Sequence, residues 1–191
     1  MAEVKSVLMV GVGGQGTILA SNVLSEGLLK SGYDVKMSEV HGMSQRGGSV
    51  NTQIRFGEKV YSPVIEMGAA DVIVAFEKME AVRWLNYLKK GGTVIVNTVE
   101  IPPLSVLIGK EEYPKDLLEI LKSNAHTIAV EADKIAEGLG NVRAQNIVLL
   151  GVLVKHLGLM NIDWEEVIRN NVPKKYIDLN IQAFRKGLEI N

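Results

Sequence analysis

The chain has 191 residues, of which 47% are hydrophobic and 23% charged, with a formal net charge of −1 and no cysteine. That size and balance describe one globular unit able to bury a core without covalent staples, and residues 1–191 are read as a single domain. The missing cysteines exclude disulfides, thiolate nucleophiles and cysteine-bound iron–sulfur clusters on this chain, and the near-neutral charge gives no footprint for nucleic acid.

Taken in chain order, Val7 to Val10 is a continuous apolar run bounded by glycines, which predicts a strand buried on both faces. Gly11-Val12-Gly13-Gly14-Gln15-Gly16 follows it. Glycines at this spacing, between a strand and a helix, permit a tight turn that presents unpaired N–H groups to an anion. Ala20, Val23, Leu24 and Leu28 then fall at helical spacing across Thr17 to Lys30, and Ser31-Gly32 ends that helix. Tyr33 to Met37 is a second strand. Glu39 comes 23 positions after Gly16, roughly where a dinucleotide-binding fold places the acidic residue that binds ribose hydroxyls. A stand-alone NAD(P)-binding reductase is therefore one functional reading. The other treats the glycine turn, Gly11, Gly13, Gly14, Gln15 and Gly16, as architecture that packs helix against strand, with Gly14 and Gln15 loosening it relative to the dinucleotide fingerprint.

Ser38 to Val50 reads Ser-Glu-Val-His-Gly-Met-Ser-Gln-Arg-Gly-Gly-Ser-Val. Glu39, His41, Ser44, Gln45 and Arg46 are too many polar groups for a core strand, since each one buried unpaired costs about 1–3 kcal/mol. Gly42, Gly47 and Gly48 are more glycines than a solvated loop needs, and glycine serves where φ is positive or another surface comes close. The stretch is expected to be a loop shaped to meet something. Bland roles compete: His41 can tie down a carbonyl, and Arg46 can bridge Glu39 within the loop.

Val50 to Phe56 alternates with period two and predicts a strand, with Lys59 to Ser62 returning after Gly57-Glu58 as its hairpin partner. Asp71 to Phe76 is a further buried strand. Met79, Val82, Leu85 and Leu88 mark a helix broken by Gly91-Gly92, and Thr93 to Asn97 is the next strand. Glu77-Lys78-Met79-Glu80 lies where α/β ligands gather, but reads better as a solvated helix start; Asn97 ends a strand and is a weaker site candidate. A helix is expected over Lys115–Lys122 and a strand over Thr127–Val130. Asn141 is placed to cap a helix reaching His156 that is apolar nearly all round, and so buried inside the protein or in an interface. Asp163 and Glu166 suggest a capping box, and Pro173 the first turn of a last helix carrying Ile177, Ile181, Phe184 and Leu188. His126, His156, Trp84 and Trp164 are read as structural. This rhythm predicts an α/β fold: a doubly wound, mostly parallel, Rossmann-like sheet with a helical C-terminal part.

The two motifs together resemble the gamma-type domain of 2-oxoacid:ferredoxin oxidoreductases. Val40-His41-Gly42-Met43-Ser44-Gln45-Arg46-Gly47-Gly48 is most similar to the indolepyruvate branch of that family, at its beta subunit. The resemblance spans the full length. It implies a complex that converts a 2-oxo acid, here an aryl pyruvate, with coenzyme A and oxidised ferredoxin, to an acyl-CoA, carbon dioxide and reduced ferredoxin. It also implies thiamine diphosphate, Mg2+ and iron–sulfur clusters. This chain has no cysteine and no Gly-Asp-Gly signature, so those groups are expected on a large partner subunit. No cofactor, metal ligand or catalytic residue is assigned to this chain alone. Its expected part is to wall the active site, or meet the partner, with Glu39, His41, Gly42, Ser44, Gln45, Arg46, Gly47 and Gly48. The apolar helix and the glycine loop also suggest a homodimer when the chain is isolated. A start without a signal peptide, and no apolar run of membrane-spanning length, point to the cytoplasm.

Overall fold

The computed structural model describes residues 4–41 and 48–190. Among these, six strands form one sheet: β1 (Lys5–Val12), β2 (Asp34–His41), β3 (Ser49–Gly57), β4 (Ala70–Ala75), β5 (Leu88–Asn97) and β6 (His126–Val130), in the order β2-β3-β1-β4-β5-β6. β1, β4, β5 and β6 run parallel, and β3 lies antiparallel between β1 and β2. The expected mostly parallel sheet is present.

Its two faces are covered because β1 is apolar on both sides. Val7 and Met9 pack with Leu24 and Leu28 of α1 (Thr17–Lys30) and Ile147 and Leu150 of α6 (Gln145–His156). Leu8 and Val10 pack with Ala81 of α2 (Lys78–Arg83) and Leu121 of α4 (Leu117–Asn124). Each such fully buried side chain contributes roughly 1.5–3 kcal/mol. Short helices α3 (Leu104–Leu107) and α5 (Ala132–Gly138) follow β5 and β6, and α7 (Trp164–Asn171) and α8 (Ile177–Glu189) close the α1 side. Among the described residues, no helix is long and apolar enough to cross a membrane.

The apolar helix expected after Asn141 is α6, and Asn146 to Val154 are all buried within this chain. It therefore supplies no exposed face for a homodimer. α8 crosses it at two glycines: a Cβ on Gly187 would lie 2.1 Å from the Val148 carbonyl oxygen, and one on Gly151 2.3 Å from that of Phe184. Asn141 caps a single 3-10 turn, Val142–Ala144, before α6 begins. Asp163 accepts from the Glu166 N–H at 3.0 Å, as the capping signature predicts. Trp164 packs where Gly27 leaves room on α1, and its indole donates to the Leu159 carbonyl at 2.8 Å.

Several boundaries differ from expectation. Lys59 to Ser62 forms no hairpin; the hairpin partner of β3 is β2, and their register runs from Asp34 opposite Gly57 to His41 opposite Val50. The 58–66 segment is instead strapped to these strands by side chains: Asp34 accepts from the Val60 N–H at 2.9 Å and Gln53 from the Ile65 N–H at 2.7 Å. Gly91-Gly92 does not end a helix. It lies inside β5, where the pairing with β4 shifts register between Ala70 and Val72, a place where glycine serves a bulge. The helix expected over Met79–Leu88 stops at Arg83 and continues as a 3-10 turn.

His126 and His156 stack with ring centroids 6.4 Å apart. Partial burial of the ring first, and the charge of His126 second, hold His156 below the ordinary imidazole value of 6.5. The unfolded chain therefore takes up this proton first on acidification. The stability involved is complete above pH 6.5 and is lost as pH falls through the lowered folded value. The urea midpoint should drop between pH 7.5 and 5.5, and His156→Gln should flatten that drop. The lowered carboxylates Glu26, Asp34 and Asp71 act only in more acid solution. A midpoint that rises on acidification would contradict the assignment.

Candidate functional site

The sheet changes winding direction between β1 and β4. From β1 the chain passes through α1 toward β2, and from β4 through α2 toward β5. The crevice beyond the C-terminal ends of these two strands is where open α/β sheets bind ligands. The glycine turn occupies it. Gly14 and Gly16 have φ of 105° and 80°, a region that L side chains avoid. Gly16 also lies against α6: a Cβ there would be 2.5 Å from the Asn146 amide nitrogen, which donates to the Gly16 carbonyl at 3.0 Å.

Gln15 does not loosen the turn. It is buried, its Oε1 accepts from the Val12 N–H at 2.8 Å, and its Nε2 donates to the Phe76 carbonyl at 2.7 Å. One amide thus fastens the end of β1 to the end of β4. Two cavities flank the turn. One, of about 450 Å³, lies toward Thr17, Ile18 and Val50 to Thr52. The other, of about 740 Å³, lies toward Leu19, Val142, Arg143 and Gln145. A cleft of about 780 Å³ with Lys89, Lys90, Lys122 and His126 sits at the opposite end of the strands, away from both motifs.

The polar motif meets the glycine turn at its return. The Gly13 N–H donates to the Gly48 carbonyl at 2.9 Å, and Ser49 pairs with Val12. The motif is not one loop from Ser38 to Val50: Ser38 to His41 extend β2, and Ser49 and Val50 begin β3. Glu39 lies in β2 opposite Thr52, half buried, and His41 is the last residue of the strand, opposite Val50. Gly42, Ser44, Gln45, Arg46 and Gly47 lie outside the described residues.

Glu39 is badly placed for a ribose. β3 stands between β1 and β2, so Glu39 is two strands from the glycine turn, about 10 Å at ordinary strand spacing, not one. The dinucleotide reading loses its second element on this geometry.

The Glu77 to Glu80 stretch is not a solvated helix start. Glu77 is 1% and Glu80 3% exposed. Glu77 caps α2 by accepting from the Glu80 N–H at 2.9 Å, and it also accepts from the Ile101 N–H at 3.4 Å and the Tyr113 hydroxyl. Burial, then the bond to Glu77, raises the Tyr113 pKa, so the phenol stays protonated as the donor. Glu80 Oε2 accepts from the Ser49 hydroxyl at 2.5 Å and its Oε1 from Arg83 at 2.6 Å. An acidic residue directly after a buried strand was the available signal. Only the approach of β3 and residues 101–113, both distant in sequence, buries it. Asn97 proves structural: fully buried, it accepts from the Ala132 N–H and donates to Gln145, each at 2.9 Å.

The donor set does not fit a cluster or a metal-held diphosphate. There is no cysteine in the sequence, and among the described residues the two buried carboxylates, Glu77 and Glu80, are engaged by protein donors. Among the described residues no group of three His, Asp or Glu could hold a metal ion.

Residues 6–190 match the family model described as pyruvate ferredoxin/flavodoxin oxidoreductase. The chain is 44% identical over 190 residues to a Pyrococcus horikoshii protein named indolepyruvate oxidoreductase subunit IorB, covering 96% of this chain and 94% of that one. Its fold is similar to the gamma subunit of a keto/oxoacid ferredoxin oxidoreductase from Geobacter sulfurreducens, with a TM-score of 0.71 and 25% identity over 97% of this chain and 96% of the other. A 2-oxoglutarate:ferredoxin oxidoreductase from Magnetococcus marinus, solved with 2-oxoglutarate, coenzyme A and succinyl-CoA bound, shares the fold at a TM-score of 0.72 and 20% identity; the match covers 98% of this chain and 31% of that one. The chain belongs to the pyruvate ferredoxin/flavodoxin oxidoreductase family.

Proposed function

We propose that the whole chain acts as the gamma-type subunit of a cytoplasmic 2-oxoacid:ferredoxin oxidoreductase that takes indolepyruvate or related aryl pyruvates. The observation that carries the substrate class is the near full-length likeness to an indolepyruvate oxidoreductase subunit. Thiamine diphosphate, Mg2+ and the clusters belong to a large partner subunit, through which electrons reach ferredoxin. This chain's own groups bind and orient. The planar guanidinium of Arg46 suits the carboxylate of the 2-oxo acid or a phosphate of coenzyme A, and His41, Ser44 and Gln45 of the same motif are hydrogen-bond donors. Leu104, Leu107 and Ile108, all more than half exposed on and just after α3, support contact with the partner. In isolation the same rim is expected to drive self-association.

The test is reconstitution with the large subunit co-purified from the native source. The chain alone should reduce no ferredoxin. The complex, given coenzyme A, should do so with indolepyruvate or phenylpyruvate at a kcat/KM at least tenfold above that with pyruvate or 2-oxoglutarate, the scale on which one pocket discriminates. A chain that purifies natively without an iron–sulfur partner, or a complex that prefers pyruvate, would overturn the reading. Calorimetry with NAD and NADP should give no heat.

A further inference from the structure

Glu80 belongs to neither motif, yet it is the most deeply placed charged group touching the returning end of the polar one. Its carboxylate is held on both sides, by the Ser49 hydroxyl at 2.5 Å and by Arg83 at 2.6 Å. Its backbone N–H is fixed by Glu77, and the Trp84 indole N–H reaches the same Ser49 oxygen at 3.5 Å. One residue upstream of Ser49, the Gly48 carbonyl receives the Gly13 N–H. Within two residues the incoming strand is thus held by the glycine turn on one side and by α2 on the other.

A buried carboxylate is a poor way to gain stability. Its desolvation offsets most of what its partners return, and an apolar replacement packs as well. What a carboxylate supplies that a methyl group cannot is direction, because a hydroxyl donating to it has a narrow range of positions. We propose that Glu80 and Ser49 are positioning residues: they set where β3 begins against the glycine turn, and so the point from which the polar motif meets the partner's active site. This rests on the functional reading above.

Ser49→Ala, Ser49→Thr and Glu80→Gln decide it in the full chain. In the isolated protein, Ser49→Ala should speed hydrogen exchange at the Gly13 amide and at the start of β3 at least tenfold, while the thermal midpoint moves only a few degrees. In the assembled complex it should lower kcat/KM for the 2-oxo acid by about 10- to 100-fold, the scale of a misplacement near 1 Å. Ser49→Thr, which keeps the hydroxyl, should restore both. Glu80→Gln should fall between, because an amide has one oxygen for two donors. A purely structural role predicts a lower midpoint and yield with unchanged kcat/KM in the assembled fraction, and that result overturns the proposal. So does unchanged exchange in Ser49→Ala. The exchange measurement needs no substrate, so a wild-type complex inactive on 2-oxo acids would refute the functional reading and leave the anchoring decided separately.

Discussion

Gly187→Val is expected to abolish the native fold or to lower its stability by about 3 kcal/mol or more, at the upper end for overpacked cores. A Cβ at this position would sit 2.1 Å from the Val148 carbonyl oxygen and 2.9 Å from the Gly151 Cα. Both are backbone atoms of α6, and no rotamer change relieves a clash with backbone. α8 would have to withdraw from α6, uncovering Ile181 and Phe184 in the larger core. Gly27→Ala is the useful comparison. The three atoms nearest its Cβ would all belong to the Trp164 ring, the closest at 2.3 Å, and a side chain can yield by shifting. Urea denaturation followed by circular dichroism should show a smaller loss for Gly27→Ala than for Gly187→Val. Equal, small losses would mean that α6 and α8 do not cross this closely.

Glu77→Ala is expected to destabilise by roughly 3 kcal/mol, because it strips the acceptor from three donors at once and each buried donor left unpaired costs about 1–3 kcal/mol. The Glu80 N–H loses its cap, and the Ile101 N–H and Tyr113 hydroxyl lose the group that holds residues 101–113 over the end of β4. Tyr113→Phe removes one donor together with part of the demand for an acceptor, so its loss should be nearer 1 kcal/mol. Amide exchange should show the Glu77→Ala effect concentrated in residues 101–113 and α2. An effect spread evenly over the sheet would count against this account.

How far the sequence could be read depended on the range of the interactions. Val7–Val10, Asp71–Phe76 and Thr93–Asn97 announced buried parallel strands because each is apolar on both faces. Asp163 marked the start of α7 because capping acts within a few residues, whereas Pro173 opens a separate 3-10 turn, Lys174–Tyr176, and α8 begins only at Ile177. The hairpin was misplaced because Val50–Phe56 gives the same period-two signal whichever neighbour it pairs with. Register came from β2 reaching as far as His41, through residues whose polarity hid their strand character. Gln15, expected to loosen the glycine turn, and Asn97, held as a weaker site candidate, take their structural roles from a carbonyl or N–H, such as Phe76 or Ala132, that arrives from a distant strand or helix.

The sequence by itself determined the α/β alternation, the two motifs and, through the absence of cysteine, that no cysteine-bound cluster can sit on this chain. Those properties follow from local pattern and from composition. The tertiary structure decided that the two motifs touch, through Gly13 and Gly48. It inserted β3 between β1 and β2, moving Glu39 away from the glycine turn. It also turned Glu77 and Glu80 from apparent surface acids into buried anchors. Burial and hydrogen-bond partnership are properties of what the rest of the chain brings near, and no window of the sequence contains them.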